Sequence, residues 1–173
     1  MIATACLFAA PQRLSQAGRT VRPGSRALVV RALAVPDQYG YVMASVALTT
    51  ALVQWQAIRV AIARKKVGLS YPKMIAEGDS EEARVFNCTQ RSHQNTLEYF
   101  TGVVAMQALL GLQYPVVAAA AGTAWTLARV AYTLGYSTGD PSKRGPGAIA
   151  SGLIHVLLIL GTGVTGVRIA TGL

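Results

Sequence analysis

Charge is missing from three long stretches of this chain, and those stretches predict its architecture. Tyr39–Ile58 runs 20 residues without Asp, Glu, Lys or Arg. Tyr99–Ala128 runs 30, and Gly147–Val167 runs 21 with His155 as its one titratable group. At about 1.5 Å rise per residue, some twenty helical residues cross a hydrocarbon core of about 30 Å. The longest stretch is interrupted by Tyr114-Pro115. Proline is tolerated at the first position of a helix and pushes the residue before it out of helical geometry. That stretch therefore reads as two helices turning between Gly111 and Pro115. The pattern predicts four transmembrane helices, at about 39–63, 91–112, 115–136 and 147–170. A soluble four-helix bundle would carry a charged outer face on every helix, and these segments carry none. The predicted fold is all-α, an integral membrane four-helix bundle.

Composition adds a leader to this picture. The chain has 173 residues, 52% hydrophobic and 13% charged, with a net charge of +9. Such a balance excludes a disordered chain, and two cysteines, Cys6 and Cys88, make no disulfide framework. The net charge suggests nucleic acid at first sight, but its distribution argues against that partner. Residues 1–36 hold five Arg and no acid, whereas residues 37–173 hold eleven Lys or Arg against seven Asp or Glu. An Ala- and Arg-rich, acid-free opening has the composition of a transit peptide. Val30-Arg31-Ala32 resembles the cleavage site of algal plastid transit peptides. Residues 1–36 are expected to be a targeting segment removed at about residue 32, and residues 37–173 the membrane domain. A plastid membrane is favoured, with the mitochondrion or endoplasmic reticulum as alternatives.

The loops predict an orientation, and the charges near the membrane predict a site. Arg64, Lys65, Lys66, Lys73, Arg84, Arg91, Lys143 and Arg144 all fall in the two loops on one side, which the positive-inside rule places on the cytosolic or stromal face. Arg59, Glu98 and Arg129 fall inside the predicted helices, where ionisable groups are costly and face partners or polar cavities. Arg59 suits interfacial snorkelling; Glu98, with its short side chain, does not. At about 100° per residue, Arg91, Asn95, Glu98 and Tyr99 share one helical face about 100° wide, and Arg129, Tyr132 and Tyr136 share another. With Arg64, Lys65, Lys143 and Arg144 at the same surface, several cations, one buried carboxylate and a few tyrosines would form a pocket for an anionic ligand that also carries an ammonium group. Polar contacts that merely join helices are the alternative.

The residues also resemble a known family. Phe86-Asn-Cys-Thr-Gln-Arg-Ser-His-Gln-Asn-Thr-Leu-Glu98 is similar to the F-N-C-x-Q-R-x-H-Q-N-T-L-E signature of the microsomal glutathione S-transferase 3 branch of the MAPEG family (membrane-associated proteins in eicosanoid and glutathione metabolism). Gly135-Tyr136 through Lys143-Arg144 resembles that branch's G-Y-x-T-G-x-P-x-K-R stretch, and Ala63-Arg64-Lys65-Lys66 through Tyr71-Pro72 the end of its first helix. The resemblance covers about residues 38–170. It implies a homotrimer with glutathione, a co-substrate rather than a cofactor, held between protomers near the cytosolic face. It implies glutathione contacts at Arg91, Asn95, Glu98 and Tyr99, at Arg64 reaching the ligand of a neighbour, and at Tyr132 and Tyr136. The thiol-activating arginine of the related leukotriene C4 synthase falls at Lys143 without a gap and at Arg144 with one inserted loop residue. Arg144 is preferred because Pro141 marks a loop of different length. His93 replaces a glutamine of that relative.

The chemistry this implies is glutathione transfer to lipophilic electrophiles or reduction of lipid hydroperoxides within membrane lipid, leukotriene C4 synthase-like chemistry included. A thiol of pKa about 8.5 is mostly protonated at neutral pH, and a nearby guanidinium stabilises the thiolate. No protein nucleophile or metal is required: there is no Ser-His-Asp arrangement and no HExxH, and Cys88 reads as a packing residue. The glycines at 145, 147, 152, 161, 163 and 166 are expected to permit close helix contact. A non-enzymatic lipid-binding member and a structural subunit of an organelle membrane complex are the alternatives.

Overall fold

The computed structural model describes residues 35–172. The expected targeting segment, residues 1–36, lies outside the described residues apart from its last two. Four helices and one short turn make up the rest: α1 (Tyr39–Lys66), α2 (Glu81–Gly111), α3 (Pro115–Tyr136), a 3₁₀ turn (Pro141–Arg144) and α4 (Gly145–Thr171). Among the described residues there is no strand. α3 is the central element, packing against α1, α2 and α4.

Local chemistry accounts for the helix ends. α1 finishes on Arg64, Lys65 and Lys66, which favour the negative end of the helix dipole, and Gly68 at φ +64° turns the chain away. Ser80 caps α2 by accepting a bond from the Ala83 amide at 3.2 Å, and Glu81 and Glu82 fill its first turn. α3 opens with Pro115 at a position where no amide is needed. Asp140 caps the 3₁₀ turn, accepting from the Ser142 amide at 2.9 Å and its hydroxyl at 2.7 Å.

One boundary corrects the expectation. α2 begins at Glu81, ten residues before the predicted start at 91, and is 31 residues long. At 1.5 Å per residue that is about 46 Å, half as long again as a hydrocarbon core. The first turns are charged, so hydropathy did not reveal them; the Ser80 cap marks the true start. The carboxamide of Asn87 clamps the preceding loop, donating to the Ala76 carbonyl and accepting from the Ala76 amide, both at 2.9 Å.

Val42, Leu52, Val103, Leu110, Trp125 and Leu158 form the main apolar cluster. A polar seam runs beside it. Gln107 donates to Ser45 at 2.7 Å, Thr49 and Thr126 are bonded at 2.8 Å, and Gln56 donates to Thr96 at 2.9 Å and Thr133 at 2.6 Å. Gly122 leaves the room that the Gln107 carboxamide occupies. Such interhelical bonds average about 0.6 kcal/mol each in membrane proteins.

Hydropathy gives a second difference. By length and composition, α1 and the Pro141–Thr171 stretch are apolar enough to cross a membrane. α2 carries Arg84, Arg91 and Glu98, and α3 carries Arg129, within their lengths, which dilutes their hydropathy. α4 buries only Gly147, Ser151, Leu158 and Thr165 and turns Ile149, Leu153, Val156, Leu157, Leu160, Val164 and Val167 outward. Of its glycines, Gly147 alone is pressed against backbone, that of Ala128 and Tyr132. Gly161 makes ordinary contact with Leu110, and Gly145, Gly152, Gly163 and Gly166 meet nothing within 4 Å. The expectation of close contact along the whole helix is corrected to that one point.

Candidate functional site

The polar face of α2 and the arginine of α3 form one chain of hydrogen bonds. Arg91 Nη1 donates to Glu98 Oε1 at 2.9 Å, and Asn95 Nδ2 donates to Glu98 Oε2 at 2.8 Å. Asn95 Oδ1 in turn accepts from Arg129 Nη1 at 3.0 Å, and its backbone carbonyl from Nη2 at 3.4 Å. This network fixes which end of the Asn95 amide is which. The spacing of seven between Arg91 and Glu98 places them two turns apart on one face, within reach of each other's side chains.

Arg129 lies at the centre. It is 3% exposed, and its guanidinium stands 4.9 Å from the Tyr99 ring, 5.2 Å from Trp125 and 4.8 Å from Tyr132. An arginine in such a cage keeps its charge by stacking as well as by hydrogen bonds. Its Nε has no partner. Beside it lies a cavity of about 80 Å³ lined by Asn95, Tyr99, Arg129, Ala148, Ser151 and Gly152. Tyr99 also meets the His155 ring in a T-shaped contact, at 5.3 Å between centroids. Sequence reasoning placed Arg129 on the polar stripe of the third helix with Tyr132 and Tyr136 but did not name it among the ligand contacts; an arginine in an otherwise uncharged helix was the available signal.

Tyr132 and Tyr136 meet edge to face at 5.7 Å, with Cys88 packed against them. Arg144 lies 4.7 Å above the Tyr136 ring and is half-buried, whereas Lys143 is exposed. Close packing at two glycines holds the turn there: the Lys143 carbonyl abuts Gly135, and Tyr132 abuts Gly147.

Two expectations are corrected. Glu98 is not buried; its side chain is 51% exposed and that of Arg91 50%, because α4 covers the Arg129 side of α2 and nothing among the described residues covers this one. The expected single cluster of cations is also divided. Arg64 is 6% exposed and turned into the α1–α2 loop, where it donates to the Lys73 carbonyl at 2.6 Å and stands over Tyr71 and Phe86. Phe86 is on the face of α2 opposite Arg91, so within one protomer Arg64 does not join Arg91 and Glu98.

Chemically, the α2–α3 chain presents a carboxylate whose orientation is set from two sides and which retains lone pairs for an ammonium donor. The cations around it favour a ligand that is anionic elsewhere. A model of the MAPEG family matches residues 42–164, well over half of the chain and all four helices. The chain belongs to the MAPEG family. MAPEG proteins are membrane helical bundles, which is the fold seen here. The family includes glutathione transferases, glutathione-dependent peroxidases and leukotriene C4 synthase-like members, and its members in general bind glutathione and form trimers. The match spans every residue of the α2–α3 hydrogen-bond chain as well as Arg64, Lys143 and Arg144.

Proposed function

We propose that this MAPEG protein is a membrane-bound glutathione transferase with glutathione-dependent peroxidase activity, of the microsomal glutathione S-transferase 3 type, working as a homotrimer in an organelle membrane, with the plastid favoured. The observation that carries the reading is the Arg91–Glu98–Asn95–Arg129 chain. Glu98 takes the ammonium of glutathione, and Arg91 takes a carboxylate. Tyr99, Tyr132 and Tyr136 line the ligand. A cavity of about 80 Å³ beside Arg129 is far too small for a tripeptide, and the exposed face of Glu98 requires a second wall. A neighbouring protomer supplies it, and Arg64 contributes to that wall by turning out of its own loop, away from the Lys73 carbonyl that holds it here.

Arg144 is the thiolate stabiliser in this reading, and its half-buried place over Tyr136 supports it over the exposed Lys143. The thiolate attacks an electrophilic carbon dissolved in the bilayer and displaces its leaving group. With a hydroperoxide it attacks the distal oxygen, giving a sulfenic acid and, after protonation, an alcohol. A second glutathione converts the sulfenic acid to the disulfide and water.

The test is equilibrium dialysis of glutathione against purified protein, wild type and Glu98→Gln. Hydrogen bonds to charged groups are worth about 1.5–3 kcal/mol, so the variant should bind about ten- to a hundredfold more weakly with unchanged helicity. Wild-type protein that binds no glutathione would overturn the reading. A variant that binds normally but fails to assemble would make Glu98 a structural contact. Turnover with a lipid hydroperoxide and with a halogenated aromatic then separates the two reactions.

A further inference from the structure

A second groove lies on the opposite face of α2, away from the Arg91–Glu98 chain. It holds about 490 Å³ and runs between the last two turns of α1 and the first turns of α2. Its inner end is polar: Arg59 on α1, buried Thr89 on α2 and Ser137 at the end of α3. Its middle is apolar, with Ile62 and Phe86, and its mouth carries Lys66, Glu81 and Glu82. At about 100° per residue, Thr89 and Phe86 are roughly 160–220° from Arg91 around α2, so this groove and the glutathione face do not share a wall there.

Three features of the inner end call for a ligand. The Nε of Arg59 and the Oγ of Ser137 are both buried without a hydrogen-bond partner, and an unmade bond at a buried donor is costly. Arg59 takes part in neither ion pair found among the described residues, Lys73–Glu77 and Arg91–Glu98. Its guanidinium is stacked 5.0 Å from Trp55, one turn deeper. Tryptophan and arginine together mark the headgroup level of a bilayer, where phosphodiester is the abundant anion.

We propose that this groove is a binding site for a membrane phospholipid of zwitterionic type, with the phosphate at Arg59 and Ser137 and the ammonium directed outward, toward Glu81 and Glu82 at the mouth. Arginine and a hydroxyl are apt donors to a phosphate, and the two turns of α2 from Thr89 out to Glu82, about 10.5 Å of rise, are spanned by the short link between phosphate and amine together with the reach of the arginine and glutamate side chains. The two cations and the acidic mouth leave the groove without a net anionic bias, which favours a zwitterion over an acidic lipid. The site is independent of the glutathione reading and stands or falls separately.

The experiment is native mass spectrometry of delipidated protein given phosphatidylcholine, phosphatidylglycerol, diacylglycerol or soluble phosphocholine, for wild type, Arg59→Gln, Arg59→Lys and Ser137→Ala. Circular dichroism checks folding of each. Wild type should retain one phosphatidylcholine per protomer, and Arg59→Gln should hold it about ten- to a hundredfold more weakly. Arg59→Lys should recover part of the loss. Ser137→Ala, which leaves the cation in place, should show a smaller loss and serves alone if Arg59→Gln does not fold. Retention of diacylglycerol as firmly as phosphatidylcholine would overturn the phosphate assignment. Equal retention of phosphatidylglycerol would overturn the zwitterion. Soluble phosphocholine bound as tightly as the lipid would overturn the membrane source. Unchanged binding in both Arg59→Gln and Ser137→Ala would overturn the site.

Discussion

Arg91 and Arg129 touch the same short chain of hydrogen bonds, yet they differ in what their loss should do. Arg129 is almost wholly buried and relies on Asn95 for its hydrogen bonds. Asn95→Leu removes the side-chain acceptor and leaves a guanidinium under-satisfied, so the protein should lose about 1–3 kcal/mol of stability. Arg91 is half exposed in its pair with Glu98. Such pairs contribute little to folding, so Arg91→Gln should melt within a degree or two of wild type, a shift of about 0.5 kcal/mol or less, while binding glutathione more weakly. Thermal melts in one detergent, paired with dialysis, check both; equal destabilisation by the two substitutions would mean the chain is structural throughout. At Arg144 the readout is the thiol. Arg144→Ala should leave glutathione bound, raise the bound thiol toward its free value of about 8.5 and slow turnover at neutral pH, part of which returns as the pH is raised. Ultraviolet thiolate absorbance against pH, compared with Lys143→Ala, reads this directly. Loss of thiolate in Lys143→Ala alone would transfer the role to Lys143.

Among the elements, the junction of α3, the 3₁₀ turn and α4 decides where Arg144 stands. A Cβ at Gly147 would meet the Tyr132 backbone and the Ala128 carbonyl, none of which can rotate away, whereas a Cβ at Gly163 would meet nothing. Gly147→Ala should therefore push α4 off α3, destabilise by about 1–3 kcal/mol and reduce thiolate formation with it. Gly163→Ala should be neutral or stabilising by up to about 1 kcal/mol, since alanine is the better helix former. Asp140 offers a pH test of the same junction. The Ser142 hydroxyl, then its amide, hold the Asp140 carboxyl below the usual range. A carboxyl depressed by folding stabilises above its unfolded pKa, about 3.9, and that contribution fades as the pH falls through the folded value. Carbonyl carbon NMR of Asp140 should give a midpoint below about 3.9 that moves up in Ser142→Ala; a midpoint at the ordinary value would show the cap to be loose. Such details were beyond sequence pattern. Uncharged runs and Pro115 made α1, α3 and α4 legible to within a few residues, and helical periodicity made the Arg91–Tyr99 face legible. The start of α2 was hidden because hydropathy records the apolar part of a helix and not the charged turns outside it. The turning of Arg64 into its own loop was hidden because its partners, a backbone carbonyl and two rings, leave no charge pattern.

For the whole molecule, the two outward surfaces have opposite needs. The outward face of α4 is a continuous row of aliphatic side chains, already suited to acyl chains. The outward face of α2 sets Arg91 and Glu98, each half exposed, beside Leu97 and Tyr99. Charged groups left facing hydrocarbon cost about 2.5–3.5 kcal/mol each at the centre of a membrane helix and less toward the surface. Contact with water or with another protomer's polar surface removes that cost, contact with lipid does not. The trimer general in the MAPEG family meets the requirement if α2 faces inward and α4 outward. A bilayer-dissolved carbene precursor should then label Leu157, Leu160 and Val164 and leave the stretch from Arg91 to Tyr99 unlabelled. Glutathione should lower any residual labelling at Tyr99, since the proposed site lies on that face. Peptide mapping of the labelled protein reads both. Strong labelling at Leu97 with none on α4 would invert the arrangement: α4 would be the contact between protomers, and the exposed carboxylate of Glu98 would have to be satisfied by lipid headgroups alone.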